Sequence, residues 1–333
     1  MMEHTLVDYI WIDGNQNLRS KTRVLEGRIM FLKDIPKWNY DGSSTNQADG
    51  ASSEIFLHPR SIYFCPFRRP NGLIVMCDTY TADGQPAKCN NRATAAKIFE
   101  RYLDQEPWYG LEQEYFIYDC RTNLPLGFNP DNKQGQYYCS VGALNAFGRK
   151  ISDLHLEGCL YAGIKIAGTN AEVSPGQWEY QIGPVEGIYA ADQLWVARYI
   201  MEKITEEHGV YIVYDPKPIK GDWNGSGCHT NFSTKSMRSP GGLDIIIQSM
   251  DKLKAKHNEH MQIYGENNQD RMSGLHETSK FDEFTYGIAN RKTSVRIPTE
   301  TAINGYGYFE DRRPAANIDP YLVTAKVLET VME

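Results

Sequence analysis

A change of texture between residues 82 and 91 limits the architectures open to this chain more than any other feature. Before it, residues 6–82 read as strands and loops, with short strand candidates at 6–13, 19–25, 55–58, 62–66 and 73–80. The first run alternates and ends on Asp13-Gly14, a dipeptide suited to a hairpin turn. The polar stretch 41–50 has no apolar period. After the break, helical spacing begins: Ala95, Ile98, Phe99, Tyr102 and Leu103 lie along one side of a helix over 91–106. Strand candidates at 109–119, 163–168, 177–183, 210–215, 228–234, 293–298 and 306–310 then mix with helix candidates at 145–161, 190–208, 242–257 and 320–332. Asp83-Gly84 and Pro86 break the pattern, so a domain boundary is placed there. The expected class is α+β, with a small β-rich module over 1–85 and a larger module over 86–333, an open sheet covered by helices.

Composition supports two cores. The chain has 333 residues, 41% hydrophobic and 23% charged, which excludes disorder, collagen and coiled coil. Its 35 basic and 42 acidic residues give a net charge of −7, a poor footprint for nucleic acid or an anionic membrane. Apolar runs such as 73–77 and 245–247 fall far short of the ~20 residues a spanning helix needs. Residues 1–8 lack the apolar centre of a leader. The seven cysteines contain no CxxC pair, which fits reduced thiols in a cytoplasmic protein.

Four constellations carry chemistry. On a strand, Glu112 and Glu114 face the same way, ~7 Å apart, and repel by about 2 kcal/mol at an effective dielectric of about 20. Glu179 and Gln181 share a face opposite Trp178, Tyr180 and Ile182, and Glu172 stands just before a Ser-Pro-Gly turn. His229 opens a strand after a turn rich in glycine, which lets a backbone approach a ligand closely. Arg291, Arg296 and Arg312 flank Glu310, and on a continuous strand Tyr308, Glu310 and Arg312 share a face. Each alone has a plainer reading: a solvated strand face, a satisfied histidine, surface ion pairs. Together, five glutamates and one histidine indicate Mg²⁺ or Mn²⁺ rather than zinc, and the arginines indicate a nucleotide phosphate. No GxxxxGK[ST] motif and no strand-placed GxGxxG occurs.

At these residues the chain resembles class II glutamine synthetase. The segments YIWIDG, YDGSST, GLEQEY, KIAGTNAEV, QWEYQIGP, GDWNGSGCHTNFST, GLHETS, NRKTSVRIP and YFEDRRP follow the family's order from residue 9 to residue 321. The resemblance implies a small β-grasp-like N-terminal domain and a larger catalytic domain with a curved antiparallel sheet and helices. It implies ATP as co-substrate and two to three Mg²⁺ or Mn²⁺ ions per site. Glu114, Glu172 and Glu179 would hold one ion, and Glu112, His229 and Glu310 another. Arg291, Arg296 and Arg312 would contact phosphates, with Trp108, Ser233 and Tyr308 on the adenine side. Asn224, Gly225, Arg271 and Arg312 would bind L-glutamate. Asp41, Ser44, Tyr138 and Glu277 would bind ammonium; Asp41, Glu277 and Arg312 would act in catalysis.

The implied reaction makes glutamine through γ-glutamyl phosphate, with Glu277 on a flap that excludes water. The implied assembly is a cytoplasmic homo-oligomer of stacked pentameric rings with active sites between subunits. The short segment ahead of the first strand matches no N-terminal arm of animal members, which bears on ring-to-ring contacts. Asp270, Lys292 and Thr293 depart from residue types common in the family, and no adenylylated loop of class I is present. Two alternatives stand beside this: a γ-glutamylamide synthetase taking a larger amine, and a structural relative without catalysis.

Overall fold

The computed structural model describes residues 4–333; residues 1–3, part of the stretch read as having no leader, lie outside it. Residues 4–81 fold as strands, as expected: β1 (His4–Ile12), β2 (Leu18–Glu26), β3 (Trp38–Asp41), β4 (Glu54–Phe64) and β5 (Gly72–Thr81). They form one sheet in the order β2-β1-β5-β4-β3. β1 and β2 are the antiparallel hairpin announced by Asp13-Gly14, and β1 runs parallel to β5. As an inner strand, β1 is buried on both faces. Val7, Tyr9 and Trp11 pack with Leu57, Leu73 and Val75 in a small separate core. Ile10 and Ile12 face the other way into the main core.

Two expectations change here. The candidates 55–58 and 62–66 are one strand, β4, irregular between Pro59 and Ser61, where a proline cannot donate to the ladder. The polar stretch 41–50 is not simple coil: short 3₁₀ turns form at Gly42–Thr45 and Gly50–Ser52. Gln47 ties this segment to the sheet by donating to the Ile12 and Lys88 carbonyls, each at 3.2 Å.

The second sheet comprises β6 (Trp108–Asp119), β7 (Leu124–Pro125), β8 (Ile166–Ala171), β9 (Gln177–Glu186), β10 (Val210–Val213), β11 (Cys228–Ser233), β12 (Tyr286–Ile288), β13 (Val295–Ile297) and β14 (Phe309–Asp311). Its order is β12-β13-β14-β11-β6-β9-β8, with β7 and β10 also on β6, curled into a half-barrel. Every pair is antiparallel except β12 with β13. The helices are α1 (Asn91–Arg101), α2 (Arg149–Ala162), α3 (Tyr189–Thr205), α4 (Gly242–Ala255), α5 (His257–Met261), α6 (Thr299–Asn304) and α7 (Pro320–Met332).

α1 stops five residues short of the reading. Leu103, counted on its apolar side, is 61% exposed, and Glu106 turns into the left-handed region. α2 starts at 149 rather than 145, because Gly148 at φ +90° breaks the helical path. α3 is buried nearly all round, packing on the large sheet and on the main core that also receives Ile10, Ile74 and Met76 from the small sheet. The two sheets thus share one core across α3. Among the described residues no helix is long and apolar enough to cross a membrane.

Candidate active site

β6 is the spine of the site. Its alternation puts Gln113 and Tyr115 into the core and Glu112 and Glu114 on the open side. Gln113 is fixed from behind, accepting from Arg198 at 2.6 and 3.0 Å. Register then brings partners alongside: His229 of β11 stands opposite Glu112, and Glu179 of β9 opposite Glu114. Arg296 of β13 pairs in register with Glu310 of β14. These strands floor a cavity of about 900 Å³.

The expected ligands converge on it. Ligand atoms of Glu112, Glu179 and His229 all lie within 4.8 Å of one another. That trio mixes the two groups suggested by the resemblance. Glu114 and Glu172 line the same cavity. Burial, and then the charge of Glu114, pushes Glu172 up to about 8. Burial, and then Glu112, Glu114 and Glu172, pushes Glu179 up to about 9. Burial raises Glu114 to about 6, against the pull of Arg271 and the Gly227 N–H, which donates to it at 2.8 Å. A cluster like this takes up protons unless a cation neutralises it. Oxygen donors with one imidazole are the donor set that fits a hard divalent ion.

Glu310 is placed differently from the other carboxylates. It is fully buried, bonded to Arg296, and accepts from Arg312 Nη1 at 2.7 Å. His229 Nδ1 lies 3.4 Å from both Glu310 and Glu112, so Glu310 touches the ligand group through the imidazole. β14 is only three residues long; of the three residues read as sharing a face, Arg312 lines the first cavity, Tyr308 lines a second one, and Glu310 between them is buried.

Arg271, Arg291, Arg296 and Arg312 line the cavity with Asn224 and Gly225. Arg312 Nε is buried without a hydrogen-bond partner, an orphan donor in a site read as anion-binding. The glycine-rich turn works otherwise than expected. A Cβ on Gly225 would come 2.6 Å from Arg271 Cγ, and one on Gly227 2.5 Å from Arg271 Nη2. The close approach these glycines permit is to a buried arginine of the same chain, which donates to the Arg312 carbonyl at 3.0 Å.

Trp108, Ser233 and Tyr308 gather around a second, largely apolar cavity of about 500 Å³, which shares Glu112 and Gln181 with the first. Arg238 completes its wall, with its guanidinium 3.9 Å from the Trp108 ring centroid and bonds to Ser233 and the Glu106 carbonyl. Nothing in the sequence singled out Arg238, which comes from the turn before α4. Gln134, Asn170 and His276 of the first cavity were missed too. Asn170 had a signal: it precedes Glu172 by two, donates to it at 2.9 Å and accepts from Gln181 at 2.8 Å.

The ammonium residues divide. Tyr138 and Glu277 line the first cavity. Asp41 and Ser44 stand on the small sheet and line neither cavity within one chain. Asp41 is exposed, accepts from Ser43 and Ser44 hydroxyls at 2.7 and 2.8 Å, and is held at about 2 by them.

Comparison with known proteins agrees with this geometry. The family model "Glutamine synthetase, beta-Grasp domain" matches residues 3–82, and "Glutamine synthetase, catalytic domain" matches 88–242. A putative glutamine synthetase of Acanthamoeba polyphaga mimivirus is 65% identical over 333 residues, covering 99% of this chain and 94% of that protein. A cytosolic glutamine synthetase isozyme of Oryza sativa subsp. japonica is 54% identical, and a root isozyme of Zea mays 53%, each with 99% of this chain and 94% of the relative aligned. With both domain types matched in order and identity above one half along nearly its whole length, the chain belongs to the glutamine synthetase family.

Proposed function

We propose that the chain joins ammonia to the γ-carboxylate of L-glutamate at the expense of ATP. What carries the reading is one adjacency: an aromatic-walled cavity opens through Glu112 and Gln181 into a cavity of buried carboxylates and arginines. A nucleotide base suits the first, its phosphates the second.

In the first step a glutamate γ-carboxylate oxygen attacks the γ-phosphorus of ATP, and ADP leaves. In the second, ammonia attacks the acyl carbon of γ-glutamyl phosphate, and phosphate leaves. A carboxylate is a poor electrophile, and phosphorylation supplies its leaving group. Arg291, Arg296 and Arg312 would balance phosphate charge, with Arg312, whose Nε has no hydrogen-bond partner within the chain, at the transferred group. Arg271, Asn224 and Gly225 would orient glutamate. Glu112, Glu114, Glu172, Glu179, His229 and, through His229, Glu310 would hold two to three Mg²⁺ or Mn²⁺ ions, which when bound screen the polyphosphate.

Asp41 and Glu277 would draw ammonium in and take its proton before attack, with Ser44 and Tyr138 beside them. Because Asp41 and Ser44 lie outside the cavity of their own chain, we infer a homo-oligomer in which residues 1–85 of one subunit close the site carried by 86–333 of the next; stacked rings of five and a cytoplasmic location are what the family resemblance adds.

The test measures phosphate and glutamine formed from ATP and glutamate, with and without ammonium. Ammonium-dependent glutamine at one phosphate each supports the reading. Turnover with methylamine or ethanolamine but not ammonium would replace it with a γ-glutamylamide synthetase. No turnover with any amine would sink both.

A further inference from the structure

Behind Glu277 lies a closed circuit of polar contacts that the mechanism above leaves unused. Gln134 Oε1 accepts from the Asn224 backbone N–H at 2.6 Å. That contact settles which end of the amide is oxygen, so Gln134 Nε2 is a donor. It lies 2.9 Å from His276 Nδ1, which therefore accepts. The other ring nitrogen then carries the hydrogen, and His276 Nε2 lies 3.1 Å from Asp222 Oδ1, a close polar contact. Asp222 and Asn224 are two residues apart on the glycine-rich turn, so the circuit closes on itself. One imidazole thus joins three loops: that between β7 and α2, that between β10 and β11, and that between α5 and β12.

The next residue along the third loop is Glu277. His276 and Glu277 sit at φ +52° and +59°, left-handed conformations that side-chain-bearing residues hold only when their surroundings impose them. Here those surroundings are the two imidazole contacts and Arg312 Nη2, which donates to the Glu277 carbonyl at 3.3 Å. The imidazole is mostly buried while the Asp222 side chain is 94% exposed, so one end of the circuit faces water.

We propose that His276 is a positioning residue for amide formation. By bonding Gln134 and contacting Asp222 at once, it holds Glu277 over the cavity and ties that placement to the Asn224–Gly225 turn that would bind glutamate. The inference rests on the ligase reading above. Its chemical consequence is coupling. With the loop loosened, water oxygen attacks the acyl carbon of γ-glutamyl phosphate, phosphate leaves, and glutamate re-forms with release of a proton, so ATP is spent without glutamine.

The experiment compares the wild type with His276→Ala, Asp222→Ala and Asp222→Asn at saturating ATP, glutamate, ammonium and Mg²⁺, assaying phosphate and glutamine separately. For His276→Ala the phosphate-to-glutamine ratio is expected to rise from about one to about three or more, and kcat for glutamine to fall roughly tenfold, the scale of a misplaced loop. KM for ATP should stay within about twofold, since the second cavity is untouched. Asp222→Ala should shift the ratio the same way by less. Asp222→Asn should stay near wild type, because its amide oxygen can keep the same polar contact with Nε2.

A folded His276→Ala with a ratio near one and kcat within about twofold of wild type overturns the proposal. If that variant does not fold, the exposed Asp222 decides, and a ratio in Asp222→Ala equal to wild type overturns it. A wild type that makes no glutamine overturns the ligase reading, and this inference with it. An active wild type with insensitive variants overturns the positioning role alone.

Discussion

The two halves of the site are built by opposite means. The carboxylate half stands on β6, β9 and β11, where neighbouring strands force Glu112, Glu114, Glu179 and His229 together and burial raises Glu114 and Glu179 out of their usual range. The half proposed to bind ammonium stands at turns: Asp41 ends β3 and caps an exposed 3₁₀ turn of the other sheet, and Glu277 lies on a loop in left-handed backbone. The strands can hold like charges side by side because the ladder and the core behind it pay for the repulsion. A turn has no such backing, and Asp41 is correspondingly free of burial and satisfied by its own serines. Charge that must stay concentrated lies on strands; groups that must meet a substrate or another subunit lie on turns.

The comparison is tested most severely by Arg312, which bonds both halves, reaching Glu310 on one side and the Glu277 carbonyl on the other. Arg312→Ala is expected to lower kcat by ~10²–10³-fold, with a smaller change in KM for ATP. A kcat within a few-fold of wild type would remove Arg312 from the transferred phosphate.

Subunit mixing comes next. Asp41→Ala and Glu310→Ala should each be inactive when reassembled alone. Mixed equally and reassembled, about a quarter of sites should be intact if the turn half comes from a neighbouring chain, since each of two independent choices succeeds half the time. Mass-tagged exchange without regained activity would place Asp41 in the service of its own chain.

The strand half should respond to metal. Saturating Mg²⁺ is expected to raise the melting temperature, by roughly 2.7 kcal/mol of stabilisation at a hundredfold excess over Kd, and EDTA should reverse it. Glu179→Gln should raise the melting temperature of the metal-free protein, because it removes a carboxyl that must take up a proton to be buried beside three others, and should shrink the Mg²⁺ effect. A metal-free variant less stable than wild type would count against the repulsion argument.

The smallest effect is expected on the turn. Ser43 and then Ser44 hold Asp41 at about 2, so its carboxylate is charged at any working pH, and whatever it contributes would be lost only as pH falls through that value. Ser43→Ala should raise the Asp41 pKa toward about 3.9, read by carbon NMR of labelled aspartate, and leave activity at pH 7 within about twofold. A large loss at neutral pH would show that the turn's shape, not its charge, matters.

Much of this was legible beforehand. Period-two alternation placed Glu112 with Glu114 and Glu179 with Gln181, and the texture change separated a strand-only region from a mixed one. The nine segments named the family, which model matches and full-length relatives then showed. Short elements were missed: β3, β7, β12, α5 and α6 are two to six residues long, below what periodicity resolves. The glycine-rich turn misled, because spacing says that a close approach occurs and not to what; the partner was Arg271, more than forty residues on.

The sequence by itself determined which side chains each strand presents to one face, because alternation is a local property of an extended backbone. It equally determined that five glutamates, a histidine and several arginines were available for phosphate chemistry. Only the tertiary structure decided which of them meet. Glu112, Glu179 and His229 come from strands 67 and 117 positions away from Glu112, and their meeting depends on register between strands that are not consecutive, set by packing across the core. The same holds for His276, whose two partners lie on loops 142 and 54 positions distant. A side chain's facing is written residue by residue; its company is settled by the burial of everything behind it.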